Sequence, residues 1–433
     1  MKQNFVILYG ILSTMDKRRF LKRLGQSVVI GALIPQALEA RERLVWKFPD
    51  TKDEAYWETI RSHYKLKPDY INLESGYYNI IPQPTLEHFK KHVDHVNYEG
   101  SHYMRTVQWD NKDNVAARLA SMVGCSEEEL IITRNTTESL DLVISGYPWE
   151  EGDEAIFAEQ DYGAMRDQFD LVARRYGIVN KVVSVPNHPK NDEEIVSLYE
   201  SMITEKTKLI MVCHMINITG HILPIRKICD MAHSHGVDVM VDGAHCIGHF
   251  KVDISELNCD YYGTSLHKWL ATPLGAGFLY VKKNKVSKLW PLLAEHNRKP
   301  EDISRLNHTG THPVHTDLAI NNAIDYLEAI GLERKEERMR YLQRYWSVPL
   351  REVKHVIVNT PAEPHRHCGI GNVGVEGIKP GDLTKMLLDE FKIFTVAIDG
   401  ANVHGCRITP NVFTTTAELN IFIDAIRTIA SRV

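Results

Sequence analysis

The sequence predicts an α/β protein, with a large domain on a mostly parallel sheet and a smaller α/β domain at the C-terminus. Three observations predict it. Between about residues 130 and 281, strand-length apolar runs alternate with helical patterns, as βα units require. The run Leu209-Ile210-Met211-Val212-Cys213 is continuously apolar, as a parallel strand covered on both faces must be. At 433 residues the chain is also too long for one core.

Taken in order, the first forty residues follow rules of their own. Lys17, Arg18, Arg19, Lys22 and Arg23 form a basic cluster, and residues 24–38 are mainly apolar but too few to span a bilayer stably. A basic region, a modest apolar stretch and the small residues Ala37 and Ala40 read as an export signal at 1–40. The alternative is a cytosolic amphipathic helix. Met15 directly precedes the basic run, so translation starts at Met1 or at Met15. An N-terminal arm is expected at 41–69, the large domain at 70–313, and a linking helix with the small domain at 314–433. Strands are expected at 129–133, 154–158, 181–185, 209–213, 237–241 and 277–281, and helices at 223–235, 314–330 and 333–345. With 43% apolar and 25% charged residues the chain is neither collagen, coiled coil nor disordered. A net charge of −5 gives no cationic field for nucleic acid, and seven sparse cysteines indicate neither a disulfide framework nor a Cys₄ zinc site. His308, His312 and His315 lie close in sequence, as do His365, His367 and Cys368, but neither set has the paired cysteines that zinc sites favour, so no metal is expected.

The chemistry concentrates in three segments. Val239-Met240-Val241-Asp242-Gly243-Ala244-His245 puts an Asp at the carboxyl end of an expected strand, where open α/β sheets bind ligands. Ser265-Leu266-His267-Lys268-Trp269 then places a Lys flanked by hydroxyl and imidazole groups. A carboxylate can keep a pyridine nitrogen protonated and a lysine amine can form a Schiff base, a pairing that describes pyridoxal phosphate. Asn135-Thr136-Thr137-Glu138-Ser139 adds hydroxyls where a strand enters a helix, a ready anion cradle.

On these residues the chain resembles the class V aminotransferase family of fold-type I pyridoxal-phosphate enzymes, in particular the branch of isopenicillin N epimerase and the cysteine desulfurases. The resemblance runs from about Asp69 to the C-terminus. It implies that Lys268 carries the cofactor, Asp242 partners its ring nitrogen, and His245 touches the ring hydroxyl or the substrate. Thr136, Thr137, Ser265 and His267 correspond to phosphate ligands, Tyr162 to a ring stacked on the cofactor, and Asn217 to a residue beside it and the substrate. Arg407, in Cys406-Arg407-Ile408-Thr409-Pro410, corresponds to the arginine that grips the substrate carboxylate. Gly310-Thr311 resembles a segment reaching the phosphate of a neighbouring subunit, which implies a homodimer. The basic run resembles a twin-arginine signal with Lys17 in place of the first arginine, which implies a periplasmic enzyme without a stable membrane span after processing.

The resemblance implies a reaction at Cα or Cβ of an amino acid or an amino-acid-containing metabolite, in the epimerase-like branch. Desulfurases of the family use a mobile cysteine before the arginine, and residues 369–405 contain none. The family's closing Tyr-Asn-Thr is replaced by Val412-Phe413-Thr414-Thr415. Transamination, epimerisation and elimination all stay open. So do a catalytically silent cofactor-binding sensor, a cysteine desulfurase or lyase, and a metal-dependent hydrolase.

Overall fold

The computed structural model describes residues 53–294 and 297–433. The expected export segment, with Lys17, Arg18 and Arg19, and the first part of the N-terminal arm lie outside the described residues. Helix α1 (Glu54–Arg61) is capped by Asp53, whose carboxylate accepts from Ala55 N–H, and it buries Tyr56, Trp57 and Ile60. Strand β1 (Ile71–Asn72) is followed by the long helices α2 (Gln83–Glu99) and α3 (Gln108–Val123).

The chain then lays down β2 (Leu130–Thr133), α4 (Thr136–Gly146), β3 (Glu154–Ala158), α5 (Gly163–Tyr176) and β4 (Val179–Val183). It continues with β5 (Thr207–Cys213), α6 (Ile225–Ser234), β6 (Asp238–Asp242), β7 (Tyr261–Ser265) and β8 (Gly277–Val281). These strands form one sheet in the order β2-β8-β7-β6-β5-β3-β4. Strands β3 to β7 pair in parallel, while β8 runs antiparallel to both β7 and β2. Register aligns Cys213 with Asp242 and Asp242 with Gly263, so the carboxyl ends of β5, β6 and β7 finish together. Sequence-distant loops therefore converge at one edge.

Helices α7 (Val314–Ile330) and α8 (Leu332–Arg351) lead into β9 (Val356–Val358), β10 (Gly371–Val375), β11 (Ile393–Phe394), β12 (Val396–Gly400), β13 (Val403–Ile408) and α9 (Thr416–Ala430). An antiparallel sheet in the order β12-β13-β10-β9 has its own apolar core, which includes Trp346, Val373, Leu383 and Phe422. Strand β1 pairs with β11, Leu73 sits in that same core, and Glu74 bridges Thr409. The chain thus touches the C-terminal sheet before it builds the large one.

Strands β2 and β5 differ from the sequence reading only in where they start, at Leu130 and Thr207, and three others differ for reasons the structure shows. Strand β6 begins at Asp238, a buried carboxylate paired with Lys285 (2.6 Å) and Lys288 (2.8 Å), which an apolar pattern cannot register. Strand β4 lies at the sheet edge, so its register with β3 sets its limits rather than continuous burial. Strand β7 escaped notice because Tyr-Tyr-Gly-Thr-Ser is polar. It is nonetheless wholly buried, with Thr264 Oγ1 donating to Gly243 O at 2.9 Å. Among the described residues no helix is long and apolar enough to cross a membrane.

Candidate active site

The anion cradle forms where β2 turns into α4. Asn135 caps the helix, its Oδ1 accepting from Glu138 N–H at 2.9 Å. Thr136 N–H donates to Ser265 Oγ at 2.9 Å, and the two hydroxyls lie 2.6 Å apart. The end of β7 is thereby tied to the first turn of α4, with Thr137 half-buried beside them. Gly277 permits this approach, since a methyl group there would stand 2.8 Å from Asn135 Cα. The N-terminal N–H groups and the helix dipole make this turn suited to a phosphate.

Asp242 closes β6, one residue later than the expected strand end, with Oδ1 accepting from Ala244 N–H at 2.9 Å. Burial raises its carboxyl above the usual range, against the Ala244 N–H and the Lys268 charge. Lys268 Nζ lies 3.1 Å from His245 Nε2, and Trp269 Nε1–H donates to His245 Nδ1 at 3.2 Å. Burial, and then the Arg407 charge, bring the Lys268 amine down to about 8, although Asp242 opposes the change. Burial and the Lys268 charge hold His245 well below its ordinary range, so its ring is neutral.

These facts fix the tautomer. Indole N–H can only donate, so His245 Nδ1 must accept, and the single ring proton sits on Nε2. Nε2–H then faces the Lys268 amine, which can accept it only in its uncharged form, populated as pH rises through about 8. Behind the pair, His249 stacks on Trp269 with centroids 3.7 Å apart. His249 Nδ1–H donates to His245 O at 2.8 Å, and Lys335 Nζ donates to Trp269 O at 2.5 Å. Trp269 and His249 were not singled out in the sequence, because an aromatic after a lysine reads as core.

Of the other expected residues, His267 and Asn217 belong to the same edge. His267 O accepts from Asn79 N–H at 3.3 Å, and burial lowers the His267 ring to about 4. His267 Nδ1 and Asn217 Oδ1 are buried with no hydrogen-bond partner among the described residues. Such unmet groups fit a site that receives a polar molecule. Tyr162 precedes α5 and is 44% exposed, and Thr311 is exposed before α7.

Arg407, on β13, does not stand free. Nη2 and Nε donate to the two oxygens of Glu74 at 2.6 and 3.1 Å, and Nη1 to Asn217 O at 3.4 Å. Arg407 and Glu74 are each 7% exposed in their side chains. Glu74 lies far from Arg407 in sequence, and nothing local announces the pairing.

The seven-stranded order, with a cofactor-sized set of polar groups at its carboxyl edge, is the architecture of fold-type I pyridoxal-phosphate enzymes. A model of the aminotransferase class-V family matches residues 80–414. The chain belongs to the class V aminotransferase family, whose members are enzymes dependent on pyridoxal phosphate. It is 26% identical to isopenicillin N epimerase of Streptomyces clavuligerus over 393 residues, covering 86% of this chain and 98% of that one. It is 28% identical to a probable cysteine desulfurase of Halalkalibacterium halodurans over 314 residues, covering 70% of this chain and 75% of that one. The fold is also that of a cysteine desulfurase from Thermococcus onnurineus, with a TM-score of 0.75 and 21% identity, covering 87% of this chain and 98% of that structure.

Proposed function

We propose that this enzyme acts at Cα or Cβ of an amino acid or an amino-acid-containing metabolite, in the epimerase-like branch, with Lys268 as the cofactor-bearing amine. The observation that carries the reading is the Lys268 amine, brought down to about 8 and 3.1 Å from neutral His245, at the sheet edge that also presents Asp242. When bound, pyridoxal phosphate supplies an aldehyde for amines and a ring that takes up the electron pair released at the substrate carbon. Thr136, Thr137, Ser265 and His267 would hold its phosphate. Asp242 would keep the ring nitrogen protonated, and the partnerless Asn217 Oδ1 would accept a donor beside the ring. Lys268 Nζ, whose midpoint burial brings down to about 8, can in its uncharged form remove a proton at the carbon it faces and return it, and His245 orients that amine.

Desulfuration needs a reactive thiolate, and these cysteines do not favour one. Six of the seven are buried, Cys125 is half-buried, and all seven thiols are pushed above their ordinary range, chiefly by burial. Incubating the yellow holoenzyme with amino acids and small peptides in D₂O tests the reading. Deuterium at Cα with inversion supports epimerisation. Keto-acid formation would redirect it to transamination, sulfide release to desulfuration, and failure to exchange Cα–H in any substrate refutes it.

The reading includes a homodimer and export after folding. Thr311 is exposed, which suits a residue that would serve a second subunit. A site built from Thr136, Asp242 and Lys268 assembles only on a folded chain, which suits a twin-arginine route. Replacing Arg18 and Arg19 together by Lys should leave active, uncleaved enzyme in the cytoplasm. Unaltered periplasmic delivery would refute the route.

A further inference from the structure

We propose that Glu74 is a specificity-determining residue that takes the Arg407 charge out of substrate recognition. The site then favours primary amines whose reacting carbon carries a neutral substituent, such as a carboxamide, at least as well as a free carboxylate. This inference rests on the proposed cofactor site at Lys268 and refines its substrate class.

The argument begins with what holds Glu74. Its Oε1 accepts from Gly76 N–H at 3.1 Å and Tyr77 N–H at 2.9 Å besides Arg407 Nη2 at 2.6 Å, while Oε2 takes Arg407 Nε at 3.1 Å. Four donors on a buried carboxylate make a fixed pair, since withdrawing Glu74 would strand every one of them. The backbone is equally fixed. Ser75 N–H donates to Thr409 Oγ1 at 2.6 Å, Thr409 N–H to Leu73 O at 2.8 Å, and Asn79 N–H to His267 O at 3.3 Å. The segment 74–79 therefore runs from the arginine to the residue beside Lys268 with both ends tied down.

Gly76 completes the arrangement. A methyl group there would stand 3.1 Å from Arg407 Cζ, so the missing side chain lets the guanidinium pack against the main chain. Glu74 fills the Nε/Nη2 edge of the fork, the edge best shaped for a side-on carboxylate. Nη1 is already turned to Asn217 O. An anion meeting what remains is attracted by Arg407 and repelled by the Glu74 carboxylate bound to it, so the repulsion offsets part of the attraction. A neutral substituent meets no such repulsion and still finds polar groups around it.

L-alanine and L-alaninamide differ in this charge at nearly constant shape. Calorimetric titration of the purified holoenzyme with each, at one pH, gives the ratio of their affinities. Wild type should bind alaninamide at least as tightly as alanine. E74Q keeps the shape and loses the charge, so the ratio should move toward alanine by about tenfold or more. E74D keeps the charge and should retain the wild-type ratio, which separates electrostatics from a folding defect. Wild type preferring alanine by about tenfold, an unchanged ratio in E74Q, or no measurable binding by either protein overturns the proposal. The absorbance of the same samples reports separately on the cofactor reading, because a colourless preparation refutes the site at Lys268 rather than the role of Glu74.

Discussion

Replacing Trp269 by Phe should make Lys268 a weaker acid, and the structure gives the reason and the size. In the wild type, Trp269 Nε1–H occupies His245 Nδ1, so Nε2 carries the proton and presents a donor to Lys268. An ammonium at Lys268 faces that donor unfavourably, which adds to the burial that holds the amine near 8. Without the indole N–H, the imidazole can carry its proton on Nδ1 and offer Nε2 as an acceptor to the ammonium. A hydrogen bond to a charged group contributes about 1.5–3 kcal/mol, so the Lys268 midpoint should rise by about one to two pH units. The phenyl ring keeps a face for His249, which limits the loss of packing. Competitive acetylation of the cofactor-free protein across pH, with peptide mapping of Lys268, reads the midpoint directly. A midpoint equal in both proteins would show that the tautomer argument is wrong.

Asp242→Ala should lower turnover by about three or more orders of magnitude with the fold intact, by analogy with other groups that stabilise charge in a transition state; near-normal activity removes Asp242 from the mechanism. Stability should fall as pH drops from about 6.5 toward 4, because burial holds His214, His267 and His367 at about 4 in the folded chain while the unfolded chain takes up protons earlier. His214, fully buried, should account for about 3 kcal/mol of this loss, so urea midpoints of His214→Gln should show a shallower decline, and an unchanged slope would refute the assignment. Inactive Thr311 and Lys268 variants, refolded together, should recover part of the activity if subunits share sites. A fully active monomer would contradict that.

Much of the site was legible because each piece is local. Thr136 and Asn135 announce a helix start, Asp242 ends an apolar run, and Lys268 follows the hydroxyl of Ser265 and the imidazole of His267. The strands at 154–158 and 277–281 and the helix at 314–330 also fall where their apolar periods place them. Two kinds of feature were hidden. Polar strands such as β7 are buried only because distant groups satisfy them, and the start of β6 depends on lysines from a later loop. The Glu74–Arg407 pair joins opposite ends of the chain, so it exists only after folding. The resemblance could assign Arg407 a task, but only the fold shows the carboxylate already there.

The central claim is that Lys268 bears the cofactor. Borohydride reduction of the yellow protein, digestion and mass mapping tests it most directly. The account predicts a single phosphopyridoxyl label on Lys268, in Ser265-Leu266-His267-Lys268, and loss of that label in Lys268→Ala. A label on another lysine, or none at all, would contradict it.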